Sequence, residues 1–160
     1  MTLADLLEAL RACPLVASVQ ASEDSPLEDP ETLARLAQAS ASQGVRVLRA
    51  QGGANLRAIR SATGLPCIGL NKRRFEGSDV YSPPTACEVD VVINSGCEIV
   101  ALDATARTRP KGATLVELVA RIHAADRLAM GDCDTPESIQ HALDAGCDLV
   151  GTTLSGYTEA

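Results

Sequence analysis

Residues 98–104 read EIVALDA, and if they form a strand, Ile99, Ala101 and Asp103 share one face that passes from apolar to acidic along the chain. Five more runs have the same design: LVASVQA (15–21), VRVLRAQ (45–51), CIGLNK (67–72), RLAMGDC (127–133) and DLVGTTL (148–154). Taken two residues apart, their faces are Val16-Ser18-Gln20, Val45-Val47-Arg49, Ile68-Leu70-Lys72, Leu128-Met130-Asp132 and Asp148-Val150-Thr152. Five of the six faces begin apolar, and all six end polar.

The segments between these runs carry a helical period instead. Leu3, Leu6, Leu7 and Leu10 are spaced helically, as are Leu33, Leu36 and Ala37, then Leu56 and Ile59, Leu115, Leu118 and Ile122, and Ile139, Ala142 and Leu143. Residues 84–95 also read as a helix, although Val89, Val91, Val92 and Ile93 would suit a strand. Gly44, Gly64, Gly96 and Gly146 each fall between a helical stripe and the next strand, where a left-handed helix end favours glycine. Asp29-Pro30, Pro84-Thr85 and Thr135-Pro136 supply caps and prolines for helix starts.

Strict alternation of strand and helix implies parallel strands with right-handed crossovers, in a doubly wound sheet or a closed barrel. An open sheet covered on both sides has no reason to put a polar group at the carboxyl end of the same face in every strand. A barrel interior does, because its layers are apolar and its upper rim carries the chemistry. The expected fold is therefore α/β, of the (β/α)8 TIM-barrel type. Eight units at this spacing need about 220–230 residues, so residues 1–160 are expected to form a single partial barrel domain holding about six of the eight. Its open sheet edges call for a cover: further chain, self-association into a homo-oligomer, or a second protein.

Composition narrows the function. The 160 residues carry 14 Lys+Arg against 21 Asp+Glu, a net charge of −7, which argues against nucleic acid and anionic membrane surfaces as partners. With no basic, greasy leader and no long apolar run, a cytoplasmic protein is expected. The six cysteines never form a C-x-x-C pair, and the two histidines, His123 and His141, lie in helical segments. Buried thiols are expected, with neither disulfides nor a metal site.

If the faces are aligned correctly, Gln20, Arg49, Lys72, Asp103, Asp132 and Thr152 converge at one mouth. Two cations, two carboxylates and two neutral hydrogen-bonding groups suit a small polar anion. Any one of them could instead be an ion-pair partner or a solvated strand end. An ammonium at Lys72, beside Arg49 and partly withdrawn from water, loses proton affinity, and its neutral amine can act as a base or form a Schiff base. Asp103 and Asp132 oppose that shift, and a structural lysine paired with one of them is the competing reading. The three aromatic residues, Phe75, Tyr81 and Tyr157, follow strand ends on the rim side. The Lys72-Arg73-Arg74 run and the Gly151–Gly156 backbone are further candidates for holding an anion.

SVQASEDSPL (18–27), RAQGGANLRAIR (49–60), IGLNKR (68–73), IVALDATARTRP (99–110), TLVELVARIH (114–123) and LVGTTLSGYT (149–158) together resemble the N-acetylmannosamine-6-phosphate 2-epimerases of bacterial sialic acid catabolism. The resemblance implies a (β/α)8 barrel that interconverts N-acetylmannosamine 6-phosphate and N-acetylglucosamine 6-phosphate at C2, without metal or organic cofactor. It implies that Lys72 is the catalytic lysine, that Gln20, Arg49 and Asp132 contact the sugar phosphate, and that Asp103 is the rim aspartate of the fourth strand. It further implies a partner acid/base, a glutamate on a seventh strand, and a phosphate grip in the loops after strands seven and eight. Glu137, at a helix start, and Glu159, at the chain end, are poor stand-ins for that glutamate. An aldolase-like barrel with a Schiff base on Lys72, and a non-catalytic fragment that binds sugar phosphate or assembles with a partner, are the alternatives.

Overall fold

The computed structural model describes residues 1–158; Glu159 lies outside them. Six strands, β1 (Val16–Val19), β2 (Val47–Gln51), β3 (Cys67–Leu70), β4 (Ile99–Asp103), β5 (Leu128–Asp132) and β6 (Leu149–Gly151), pair in parallel in the order of the chain. Helices α2 (Pro30–Ser42), α3 (Gly53–Thr63), α4 (Ala86–Asn94), α5 (Leu115–Ala124) and α6 (Pro136–Asp144) make the crossovers, and α1 (Leu3–Ala12) precedes β1. No helix among the described residues is long and apolar enough to cross a membrane.

The sheet curls into most of a barrel, and one contact proves the curvature. Arg49 on β2 donates to the Asp132 carboxylate on β5 at 2.7 Å. In a flat sheet those strands would lie about 14 Å apart, three strand spacings, which is beyond the joint reach of the two side chains. A strand order that never reverses also leaves no switch point of the doubly wound kind.

Alternation along the strands builds two cores. Leu48, Ala50, Cys67, Val100, Leu102 and Ala129 face outward onto Leu33, Leu56, Ile59, Val89, Val92, Leu118 and Ile122 of the helices. Val47, Ile68, Leu70, Ile99 and Ala101 face inward, and Leu6 of α1 packs onto them, so the N-terminal helix adds to the inner layer. The inner layer is less covered on β1, β5 and β6 than in mid-sheet. Val16, Leu128, Met130 and Leu149 are only partly buried against the inner cluster, whereas Ile99 and Ala101 in mid-sheet are inaccessible.

Local signals explain the element boundaries. Thr2, Asp29, Thr85, Thr114 and Thr135 cap their helices through side-chain oxygens. Residues 86–94 are helical despite four β-branched side chains, because Val89 and Val92 fall on one helical face and are both fully buried. Gly69 has no room for a side chain: a Cβ there would lie 2.6 Å from Val92 Cγ1 and 2.8 Å from Cys97 Sγ. Gly69→Ala is expected to cost about 1–3 kcal/mol through overpacking, read as a lower urea midpoint at unchanged slope.

Two details of the sequence reading are corrected by the register. Leu149 pairs with Met130 and joins the inner cluster, so Asp148, Val150 and Thr152 do not form the inward face of β6. Leu149 and Val150 are adjacent and both apolar, which leaves no alternation to set the face from sequence. Asp148 instead caps the outer side, accepting from Ala129 N–H at 2.8 Å and lying 2.9 Å from His123 Nε2. Val45 precedes β2 and belongs to the outer cluster. All six cysteines are free, four of them buried, and burial pushes the Cys147 thiol up to about 12.

Candidate active site

Inward positions at the carboxyl ends of the strands bring Gln20, Arg49, Lys72, Asp103 and Asp132 to one mouth. Lys72 lies two residues beyond β3, on the face of Ile68 and Leu70, and its Nζ donates to Gln20 Oε1 at 3.3 Å. Gln20 is held in turn by its Nε2, which donates to Ser18 Oγ at 2.7 Å. Lys72 remains exposed to the mouth. Its pKa is lowered, first by withdrawal from water and then by the like charge of Arg49, with Asp132 opposing.

Asp132, at the end of β5, is 2% exposed, too buried to carry a charge without partners. Oδ2 accepts from Arg49 Nη2 at 2.7 Å and Oδ1 accepts from Thr153 Oγ1 at 2.7 Å. Thr153 thus occupies the place that the sequence reading gave to Thr152. The Thr152 side chain is exposed, and its carbonyl accepts from Ser155 N–H.

Asp103 reaches the mouth with its carboxylate already occupied. Oδ1 accepts from Thr105 N–H at 2.9 Å and Thr105 Oγ1 at 2.7 Å, and Oδ2 accepts from Arg107 Nη2 at 2.7 Å. Its carbonyl accepts from the buried Arg109 guanidinium, whose pKa is lowered mainly by burial. These three bonds organise the DATART loop and tie the carboxylate to its own turn.

An open cleft of about 1040 Å³ lies between the loops after β1, β2 and β3, and Gln20, Lys72, Arg73, Arg74 and Tyr81 line it together with Glu23, Asp24 and Glu28. One wall is basic and the other acidic. Arg73 pairs with Glu88 at 3.2 Å and stacks over Phe75, while Arg74 lies 5.3 Å from the Tyr81 ring centroid. The aromatic residues here carry cations, and Tyr157 stays exposed. Within the Gly151–Gly156 loop the N–H groups of Leu154 and Ser155 donate to backbone carbonyls and are not free to cradle an anion. Glu137 belongs to a separate hollow with Thr105, Arg107 and His141.

Gln51 escaped the sequence reading. It lies two residues beyond Arg49 on the same face, and continuing the alternation by one step would have found it. Its Nε2 donates to Ala21 carbonyl at 2.9 Å, and its Oε1 has no partner among the described residues. Arg107 and Thr153 were missed because loop geometry, not strand period, places them.

Comparison with known proteins follows the geometry. Residues 33–160 match the family model described as "Putative N-acetylmannosamine-6-phosphate epimerase". Proteins named "Putative N-acetylmannosamine-6-phosphate 2-epimerase" from Clostridium perfringens (strain SM101 / Type A) and Clostridioides difficile (strain 630) are each 44% identical over 144 residues, 90% of this chain and 65% of theirs. A solved structure of the N-acetylmannosamine-6-phosphate 2-epimerase from Clostridium perfringens superposes with a TM-score of 0.88 at 43% identity, covering 90% of this chain and 63% of that one. The chain spans about 65% of the length of the curated relatives it matches.

Proposed function

The chain belongs to the N-acetylmannosamine-6-phosphate epimerase family, and from that membership we propose that it supplies the lysine side of a C2 proton transfer interconverting N-acetylmannosamine 6-phosphate and N-acetylglucosamine 6-phosphate. The observation that carries this reading is the Lys72 amine held by Gln20 beside the Arg49–Asp132 pair, with its proton affinity lowered. A neutral amine removes the C2 proton of the open-chain sugar, the electron pair moves into the carbonyl, and an enolate forms. The adjacent guanidinium opposes the negative charge as it develops, and Asp132 keeps that guanidinium aimed. Return of a proton to the same face regenerates the starting epimer, and delivery to the opposite face inverts it. Inversion therefore needs a second acid/base on the other side of the carbon.

One amine suffices for exchange without inversion, which gives the direct test. N-acetylglucosamine 6-phosphate and its epimer are incubated separately with the chain in deuterated water, and C2 deuteration is followed by NMR. Exchange into one epimer by the wild type and none by Lys72→Ala supports the proposal. Identical traces for the two proteins overturn it, and a borohydride-trapped adduct on Lys72 would point to a Schiff base instead.

The exchange rate should rise with pH as the Lys72 ammonium loses its proton. Arg49→Gln removes the like charge that lowers the lysine pKa and leaves Asp132 to raise it. The rising limb is therefore expected at higher pH in that variant, measurable from the pH dependence of the initial exchange rate.

A further inference from the structure

Asp103 makes no bond to Lys72, Arg49 or Gln20, yet its carboxylate accepts three bonds at the heart of the neighbouring loop. The segment between β3 and α4, residues 71–85, begins with Asn71 and Lys72 and returns across the β4 end. Four hydrogen bonds tie it down. Arg73 N–H donates to Tyr81 carbonyl at 2.8 Å, closing the segment on itself directly after Lys72. Asp103 N–H donates to Ser82 carbonyl at 2.5 Å. Arg107 Nη1 donates to Asp79 carbonyl at 3.4 Å, and Ser78 Oγ donates to Thr108 carbonyl at 3.2 Å. Two of these anchors, Arg107 and Thr108, belong to the loop that Asp103 organises through Thr105 and Arg107. Val80, Ser82 and Thr85 are buried beneath it.

We infer that Asp103 is a positioning residue for Lys72: its carboxylate sets Arg107, directly and through Thr105, Arg107 and the Thr108 carbonyl of the same loop hold the 78–82 arm, and the arm holds the backbone that aims the lysine across the mouth at Gln20. The proposal rests on the reading of Lys72 as the proton-transferring amine, and it concerns placement rather than chemistry. With the arm released, Lys72 would move toward bulk water, away from the burial and the Arg49 charge that lower its pKa. The charged groups around that amine are Arg49 and Asp132 from the strands, Arg73 and Arg74 from its own loop, and Glu23, Asp24 and Glu28 across the cleft.

The sequence contains two lysines, Lys72 and Lys111, so a protein made with 13C-labelled lysine gives two side-chain NMR signals. Lys111→Arg assigns the two signals, and a free lysine side chain sets the reference. In the wild type Lys72 is expected to titrate below that reference. In Asp103→Ala roughly half or more of that gap should close. Arg107→Gln cuts the same tether one step later and should move Lys72 in the same direction, with no further movement in the double variant. Should Asp103→Ala fail to fold, Arg107→Gln alone decides. An unmoved Lys72 midpoint in a folded variant overturns the inference. Because no substrate is involved, that outcome leaves the epimerase reading standing, whereas absence of Lys72-dependent C2 exchange in the wild type removes the epimerase reading and leaves the measured placement intact.

Discussion

Lys72→Met is expected to lower the rate of C2 proton exchange by about 10²–10⁴-fold, the usual worth of a placed general base. Methionine keeps most of the unbranched stem and removes the amine, so the cleft retains its shape and loses one function. Gln20 then loses a donor at a half-exposed position, a small matter for stability because water replaces the amine there. Thermal melts of the two proteins should nearly coincide while their exchange rates diverge. A variant that exchanged as fast as the wild type would exclude Lys72 as the base.

Asp132→Ala should act on stability instead. The Arg49 side chain is 15% exposed and that of Asp132 is 2% exposed, so truncating the acid leaves a largely buried guanidinium with Met130 Sδ, at 3.8 Å, as its one remaining side-chain acceptor among the described residues. Breaking such a pair costs about 3 kcal/mol, the lower part of the buried range because Arg49 keeps some access to water. For a chain of this size that corresponds to a fall in Tm of about 6–12 °C. Asp132→Asn, which still offers an oxygen to Arg49 or Thr153, should lose less. Equal melts for Asp132→Ala and the wild type would mean that the pair contributes nothing net. The two substitutions also separate the mouth into a chemical part and a structural part, since one should spare the fold and the other should not.

Much of this was legible in the chain. Polar ends recurring on the strand faces pointed to a barrel, and the 2.7 Å bond between Arg49 and Asp132 across three strand spacings is its physical consequence. Gln20, Arg49, Lys72 and Asp132 were found because strand alternation alone places them. Three of the motifs that carry the family resemblance, at 18–27, 49–60 and 68–73, contain Gln20, Arg49 and Lys72, and the matched family agrees with the resemblance.

What failed did so where alternation stops. Thr152 was chosen over Thr153 because Leu149 and Val150 give no contrast between faces, and pairing with Met130 on β5 settled the matter. Asp103 sits at the mouth where the strand pattern placed it, but nothing in that pattern reveals that Thr105 and Arg107 fold back onto its carboxylate. The basic run after Lys72 lines the cleft, and the pattern did not foretell that Arg73 and Arg74 would lie over Phe75 and Tyr81.

The chain by itself determined which residues face inward on its clear strands, because side-chain direction in a strand is a matter of counting and needs no neighbour. Only the tertiary structure decided which inward groups remain available to a ligand. The Asp103 carboxylate is held by its own turn, through Thr105 and Arg107, whereas Arg49 meets Asp132 and Lys72 meets Gln20 across strands distant in sequence, in positions that exist only after the sheet has curled.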